Sequence, residues 1–401
     1  MKFPCHGRWW LPASPERSVF GTLTFTRRDG ATLFLADSLP DDRDQVELDI
    51  VVGQTSGGAY VTLLHAIRTH APVFRLTPTF RCSYHAPLVM IGAAFDNEAN
   101  MRFSRWQIRF AQLKAWVAQH GLEVESSEFV ACADSPVVHI TYRTPQRKVL
   151  LANTDGPELS LRFWPVLRTD PDFAAVRQEV CLEIRCASND TLEDYAKTAT
   201  RFEDFLTLAT GSLVRTETIN AVVRTDQADA AGRRVLVDIL YQPIRSVSQC
   251  NHLRTAEPLF TLPDIAGHEQ TCFNNWFAKA EWLDPVCALY FGILYNPSKY
   301  LDANFLALVQ AVEAYHRRAS NETERSPEEH CARMKAILDA APAEHRHWLD
   351  EKLRYSNQLT LRRRLEVLFA QFSYLLDSLI PEGHLARFIW HIQMVLVRQG
   401  I

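Results

Sequence analysis

The chain has 401 residues, 47% of them apolar and 22% charged, with a formal net charge of −4. That length can bury a large core and suggests two or three domains. The charge balance excludes a global basic field, so any nucleic-acid role must rest on a local patch.

The opening residues, MKFPCHGRWWLPASPERS, hold no apolar run of the secretory-signal type. The longest charge-free stretch of the C-terminal part, 285–298, spans 14 residues, short of the roughly 20 a membrane helix needs. A cytoplasmic protein with no membrane contact is expected. The nine cysteines form no Cys-x-x-Cys pair. They read as free thiols in a reducing compartment, and neither a metal nor another cofactor is expected.

Strand signals dominate the first part. Strands are predicted over 19–26 and 31–35, flanking the hairpin signal RRDG at 27–30. Others are predicted over 46–52, 58–68, 79–85, 87–95, 104–110, 137–142, 148–153, 159–163, 178–185, 213–223 and 234–241. A short helix is predicted over 111–119. A longer one is capped by Ser188-Asn189-Asp190-Thr191 and stopped at Gly211. From residue 268 the period becomes helical, with helices predicted over 268–282, 285–295, 300–319, 328–340, 343–355, 359–379 and 382–398. The fold class read from this order is α+β: a β-rich region over 1–265, of one or two subdomains, followed by an all-α bundle over 266–401.

Within the bundle, Phe305, Leu308, Val309, Val312 and Tyr315 recur at helical spacing and predict a buried face. His316, Arg317 and Arg318 close that helix, where cations suit its dipole. The 359–379 helix has a seam of Leu361, Leu365, Leu368, Phe369, Phe372, Leu376 and Leu379. Arg362, Arg363 and Arg364 crowd its first turns. A charge run is usually a solvated face. Three consecutive guanidiniums nevertheless cover most of a helix circumference, so at least one must lie near the bundle, where it could also meet a phosphate. Glu313 and Asn357 sit beside apolar seams and should be hydrogen-bonded there, unless Asn357 caps the next helix. GQTSGG at 53–58 lacks the Lys of a phosphate-binding loop and reads as a loop between strands. His65, His70, His85, His139, His345 and His347 show no metal-ligand spacing. Trp9-Trp10 is read as an exposed aromatic pair, the sole support for a ligand-binding β domain.

FLALVQAVEAYHRRAS (305–320), LRYSNQLTLRRRLEVLF (353–369) and the final helix at 382–398 resemble the Apea-like branch of the HEPN superfamily. HGRWWLPASPERSVFGTLTFTRRDGATLFL (6–35) and RFSRWQIRFAQLKAWV (102–117) are similar to the N-terminal domain of ApeA-type proteins. The resemblance implies a bacterial abortive-infection effector of antiphage defence whose HEPN domain is a metal-independent endoribonuclease. In such enzymes Arg holds the scissile phosphate and His assists proton transfer at the ribose 2′-hydroxyl. The partners implied are RNA, tRNA included, a second copy of the chain or a higher homo-oligomer through the helical domain, and a phage protein as trigger, sensed by the N-terminal region.

The family pattern places Arg, commonly followed by Asn, and then His four to six residues further along the last helix. Here that helix reads HLARFIWHIQMVLVRQGI (384–401), and Phe388 stands in the Asn position. Arg387 and His391 share one helix face at i and i+4 and are the candidate catalytic pair. Glu313, Asn357, Arg362, Arg363 and Arg364 are the candidate RNA-binding or supporting residues. Arg325 with His330, and Arg245 with His252, also fit a formal spacing but lie off the last helix. The departure leaves alternatives open: a bundle that binds RNA or protein without cutting, or a chain end altered by truncation or frameshift.

Overall fold

The computed structural model describes residues 3–39, 46–69, 82–126, 138–145, 148–152, 157–170, 172–185, 191–224, 235–242, 258–295, 300–373, 389 and 392. It divides into two compact units, Met1–Ala278 and Lys279–Ile401. The architecture is α+β, and among the described residues the strands lie in the first unit, apart from one isolated bridge in the second.

The first six strands are β1 (Cys5–Trp10), β2 (Val19–Thr26), β3 (Gly30–Leu35), β4 (Glu47–Thr55), β5 (Tyr60–Thr69) and β6 (Cys82–Ala86). They pair antiparallel in the order β5-β4-β1-β2-β3-β6, and β6 returns to β5, which closes a small barrel. Alternate residues point inward, and Trp9, Leu23, Leu33, Leu63 and Tyr84 fill the interior. The RRDG hairpin forms as expected, with Thr26 opposite Gly30 at φ +73°.

Two expectations fail here for one reason. Trp9 is not exposed but fully buried, and Trp10 is half-buried, because β1 is paired on both sides. Nor is 53–58 a loop throughout. β4 continues to Thr55, and a Cβ at Gly53 would overlap the Trp9 ring. The glycine makes room for the indole.

From β5 the sheet continues through β7 (Leu88–Ile91), β15 (Leu236–Tyr241), β14 (Thr216–Val223), β8 (Phe103–Phe110), β13 (Phe173–Arg185), β12 (Glu158–Asp170) and β11 (Lys148–Ala152). β9 (Leu122–Ser126) and β10 (Val138–Tyr142) form a separate pair. One face of the long sheet presents Trp106, Ile108, Leu161, Phe163, Leu182 and Ile184 to a core. α1 (Leu113–Val117), α2 (Leu192–Thr210) and α3 (Glu269–Ala278) supply the rest of that core. α2 begins in a capping box between Thr191 and Asp194 and ends on Gly211 at φ +61°, so both predicted signals act. Phe273 of α3 is fully buried against Trp116, Phe202 and Phe205. This packing puts the helix in the first unit, and the contact boundary follows Ala278 rather than residue 265.

The second unit holds α4 (Ala280–Tyr295), α5 (Leu301–Ala319), α6 (Pro327–Ala340), α7 (Ala343–Leu353) and α8 (Leu361–Gln371). α4 runs through Pro285 instead of starting there, and the helix predicted over 268–282 is interrupted between Ala278 and Ala280. α6 begins one residue before the predicted 328, with Ser326 accepting from the Glu329 amide and Pro327 in the first turn. The cap of α8 is Thr360, not Asn357. Val309, Leu365, Ile389 and Ile392 make the described core, with Phe305, Val312, Leu361 and Phe369 against it. Leu308, expected inside, is 41% exposed. No described helix is long and apolar enough to cross a membrane.

Candidate functional site

The polar groups of the helical unit gather where the last turn of α5 meets the first turns of α8. Val309, Val312 and His316 follow each other at helical spacing, which carries His316 onto the buried seam. It is 2% exposed. Arg364 stands three residues after Leu361 and four before Leu368, so it lies on the α8 seam at 4% exposure. Its Nε donates to the Leu359 carbonyl at 3.0 Å, and its Nη1 to His316 Nδ1 at 3.1 Å.

A guanidinium can only donate, so His316 Nδ1 is the acceptor and the neutral ring carries its proton on Nε2. That atom is buried and finds no partner among the described residues. Burial pushes the His316 pKa down and the Arg364 charge adds to this, while Glu322 opposes it. Arg364 is itself pushed down, by burial and then by Arg317, against the pull of Glu313. His316 is therefore not a dipole-matched cation at the helix end but a neutral core residue. Its seam position was the signal that could have revealed this.

The other candidates separate around this pair. Glu313 accepts from Arg317 at 3.0 and 2.9 Å, one turn along α5, and Arg317 also donates to Gln358 at 3.0 Å. Asn357 binds the Arg325 backbone twice, accepting from its amide and donating to its carbonyl, each at 3.0 Å. Together with the Thr323–Gln358 bridge, this clasps the 320–326 loop to the turn before α8. Arg362 and Arg363 are exposed and share Glu366, at 2.9 and 3.3 Å. These contacts, the Arg362 hydrogen bond first, hold that carboxyl below its usual range.

The structure thus brings Glu313, His316, Arg317 and Arg364 together and leaves Arg362 and Arg363 on the surface. Of the arginine run, one member does reach the bundle. Arg387 and His391 lie outside the described residues. The described positions beside them, Ile389 and Ile392, are helical and buried with Val309 and Leu365. Among the described residues no group of three or more His, Cys, Asp or Glu side chains could hold a metal ion.

Comparison with known families supplies the context for this bundle. Residues 4–276 match the ApeA N-terminal domain 1, and residues 306–392 match the Apea-like HEPN domain. No curated protein and no solved structure matches the chain. The first match alone covers more than half of the sequence and ends within α3, where the first unit ends. The chain belongs to the ApeA-type family, with an ApeA N-terminal domain 1 followed by an Apea-like HEPN domain.

Proposed function

We propose that this chain is a cytoplasmic antiphage effector whose helical unit cleaves RNA without a metal ion and acts as a homodimer or higher homo-oligomer. The observation that carries this reading is the HEPN match over 306–392, a span that includes Arg387 and His391. In the proposed reaction His391 takes the proton of a ribose 2′-hydroxyl. The 2′-oxygen bonds to phosphorus, the bond to the 5′-oxygen breaks to leave a 2′,3′-cyclic phosphate, and the departing 5′-oxygen takes a proton from water while His391 returns its own to solvent. Arg387 holds the non-bridging oxygens as charge builds on them. The exposed Arg362 and Arg363 would meet flanking phosphates. Arg364, committed to Leu359 and His316, would position α8 against α5. The N-terminal unit would sense a phage product.

The test is cleavage of total RNA, tRNA included, in the presence of a chelator. Arg387→Ala and His391→Ala should each slow cutting by roughly 100-fold or more. Equal cutting by the parent and both variants would overturn the assignment. A second reading, an HEPN bundle that binds RNA without cutting it, is favoured by Phe388 in the Asn position. It expects RNA to be retained with no products under any condition.

A further inference from the structure

One face of the long sheet lies on the core, and its other face carries charge. Residues of β8, β12 and β13 that alternate with the buried ones place Arg105, Gln107, Arg109, Arg162, Trp164, Glu179 and Glu183 together on it. Glu183 is fully buried beneath three guanidiniums, Arg105 at 3.6 Å, Arg162 at 3.7 Å and Arg185 at 2.8 Å, and also accepts from Gln107 at 3.0 Å. Glu179, 5% exposed, meets Arg109 at 3.9 Å, Lys114 at 3.4 Å and Arg177 at 2.5 Å.

Two carboxylates therefore share six cations. Lys148 and Glu158, at the edge of the face, pair with each other and add no net charge. Asp238, the nearby acid on β15, accepts from Asn220 at 2.6 Å and offsets one cation at most. Cys181 adds no negative charge, because burial and then Glu183 push its thiol pKa up to about 12. The cations remain open to solvent, from 26% of the side chain at Arg105 to 65% at Arg177. Arg105 Nε is buried without an acceptor among the described residues. A chain of net charge −4 thus concentrates positive charge on one face of β8, β12 and β13. Such a field attracts a polyanion.

The side chains select among polyanions. The guanidinium fork fits phosphate oxygens in pairs. Trp164 lies half-buried on the same face, opposite Glu179 and two residues from Arg162. An indole beside guanidinium planes and an amide on one sheet face suits unstacked bases, which every nucleotide of a single strand offers. We propose that the open face of β8, β12 and β13 binds single-stranded nucleic acid, with its arginines on phosphates and Trp164 stacked on a base. This site is separate from the helical unit and does not depend on RNA cleavage.

The test uses the full chain and fluorescent single strands of uridine RNA and thymidine DNA, about 16 nucleotides long, read by anisotropy at graded salt. Arg177→Glu with Arg185→Glu should weaken binding of both by at least about tenfold and flatten the salt slope by roughly 1.4, about 0.7 per lost phosphate contact. Trp164→Ala should weaken binding several-fold with the slope unchanged. Lys335→Glu with Lys352→Glu, exposed on α6 and α7 of the helical unit, should leave DNA binding in place. DNA lacks the 2′-hydroxyl, so that arm is blind to any nuclease activity. Equal binding by the parent and the Arg177/Arg185 variant would overturn the proposal, as would equal displacement of DNA by polyglutamate of matched charge. Should the double variant unfold, ultraviolet cross-linking of DNA to the parent chain decides. Cross-links within 103–110 or 158–185 support the site, and cross-links confined elsewhere refute it.

Discussion

Arg362, Arg363 and Arg364 are neighbours in sequence and occupy two different environments. The first two lie in solvent over Glu366, where screening and side-chain entropy leave an ion pair little net value. Either one changed to alanine should alter the stability of the helical unit by no more than about 0.5 kcal/mol. Arg364 is buried, and its loss would strand the Leu359 carbonyl and His316 Nδ1 in the interior. Arg364→Ala should cost about 2–3 kcal/mol, the penalty for unsatisfied buried groups. Urea titrations of the three variants check this, and equal midpoints would refute the division. The helical wheel makes this difference legible in the sequence, since Arg364 shares its stripe with Leu361 and Leu368. The same wheel would have placed His316 below Val309 and Val312. Charge at a helix end was the weaker guide, because position on the seam outweighs the dipole once the ring is desolvated.

At the scale of elements, short-range signals were legible and long-range ones were not. The RRDG hairpin, the Thr191 cap and the Gly211 stop depend on chemistry within a few residues, and each appears where the sequence places it. β1 was missed because CHGRWW does not alternate in hydropathy, although its inward Trp9 is set by two partner strands. β12 and β13 extend beyond their predicted 159–163 and 178–185 because their distal halves are largely exposed and show no alternation. The barrel makes a sharp test. Gly53→Ala pushes a methyl group into the Trp9 ring and should cost about 1–3 kcal/mol by overpacking. Trp9→Leu in the same chain should recover part of that loss, because the smaller side chain vacates the space. A strictly additive double-mutant cycle would refute the contact. Thr191→Ala removes the side-chain half of the capping box and should cost about 1 kcal/mol, measured in the same denaturation.

At the scale of the whole molecule, the α+β order was visible because hydrophobic period changes from two to 3.6 along the chain, whereas the assignment of α3 depended on Phe273 meeting aromatic partners far away in sequence. The two units should also respond differently to acid. His316 is held neutral, its pKa below the ordinary 6.5. Below that value the unfolded chain binds a proton that the folded helical unit resists. Stability is therefore full above about pH 6.5 and falls as pH drops towards the lowered folded value, by at most about 1.4 kcal/mol per pH unit. In the first unit, Asp194 and Asp264 are lowered from 3.8 by hydrogen bonds from Thr191 and Thr261. Their stabilisation persists above that range and is lost only as pH falls further. Glu366, lowered from 4.5, likewise acts below the window. Calorimetry between pH 7.5 and 5 should show the transition of the helical unit moving down while that of the β-rich unit moves less. His316→Gln keeps an acceptor for Arg364 but cannot titrate, so it should abolish most of the shift. Persistence of the full shift in that variant would place the acid sensitivity elsewhere and remove His316 as its source.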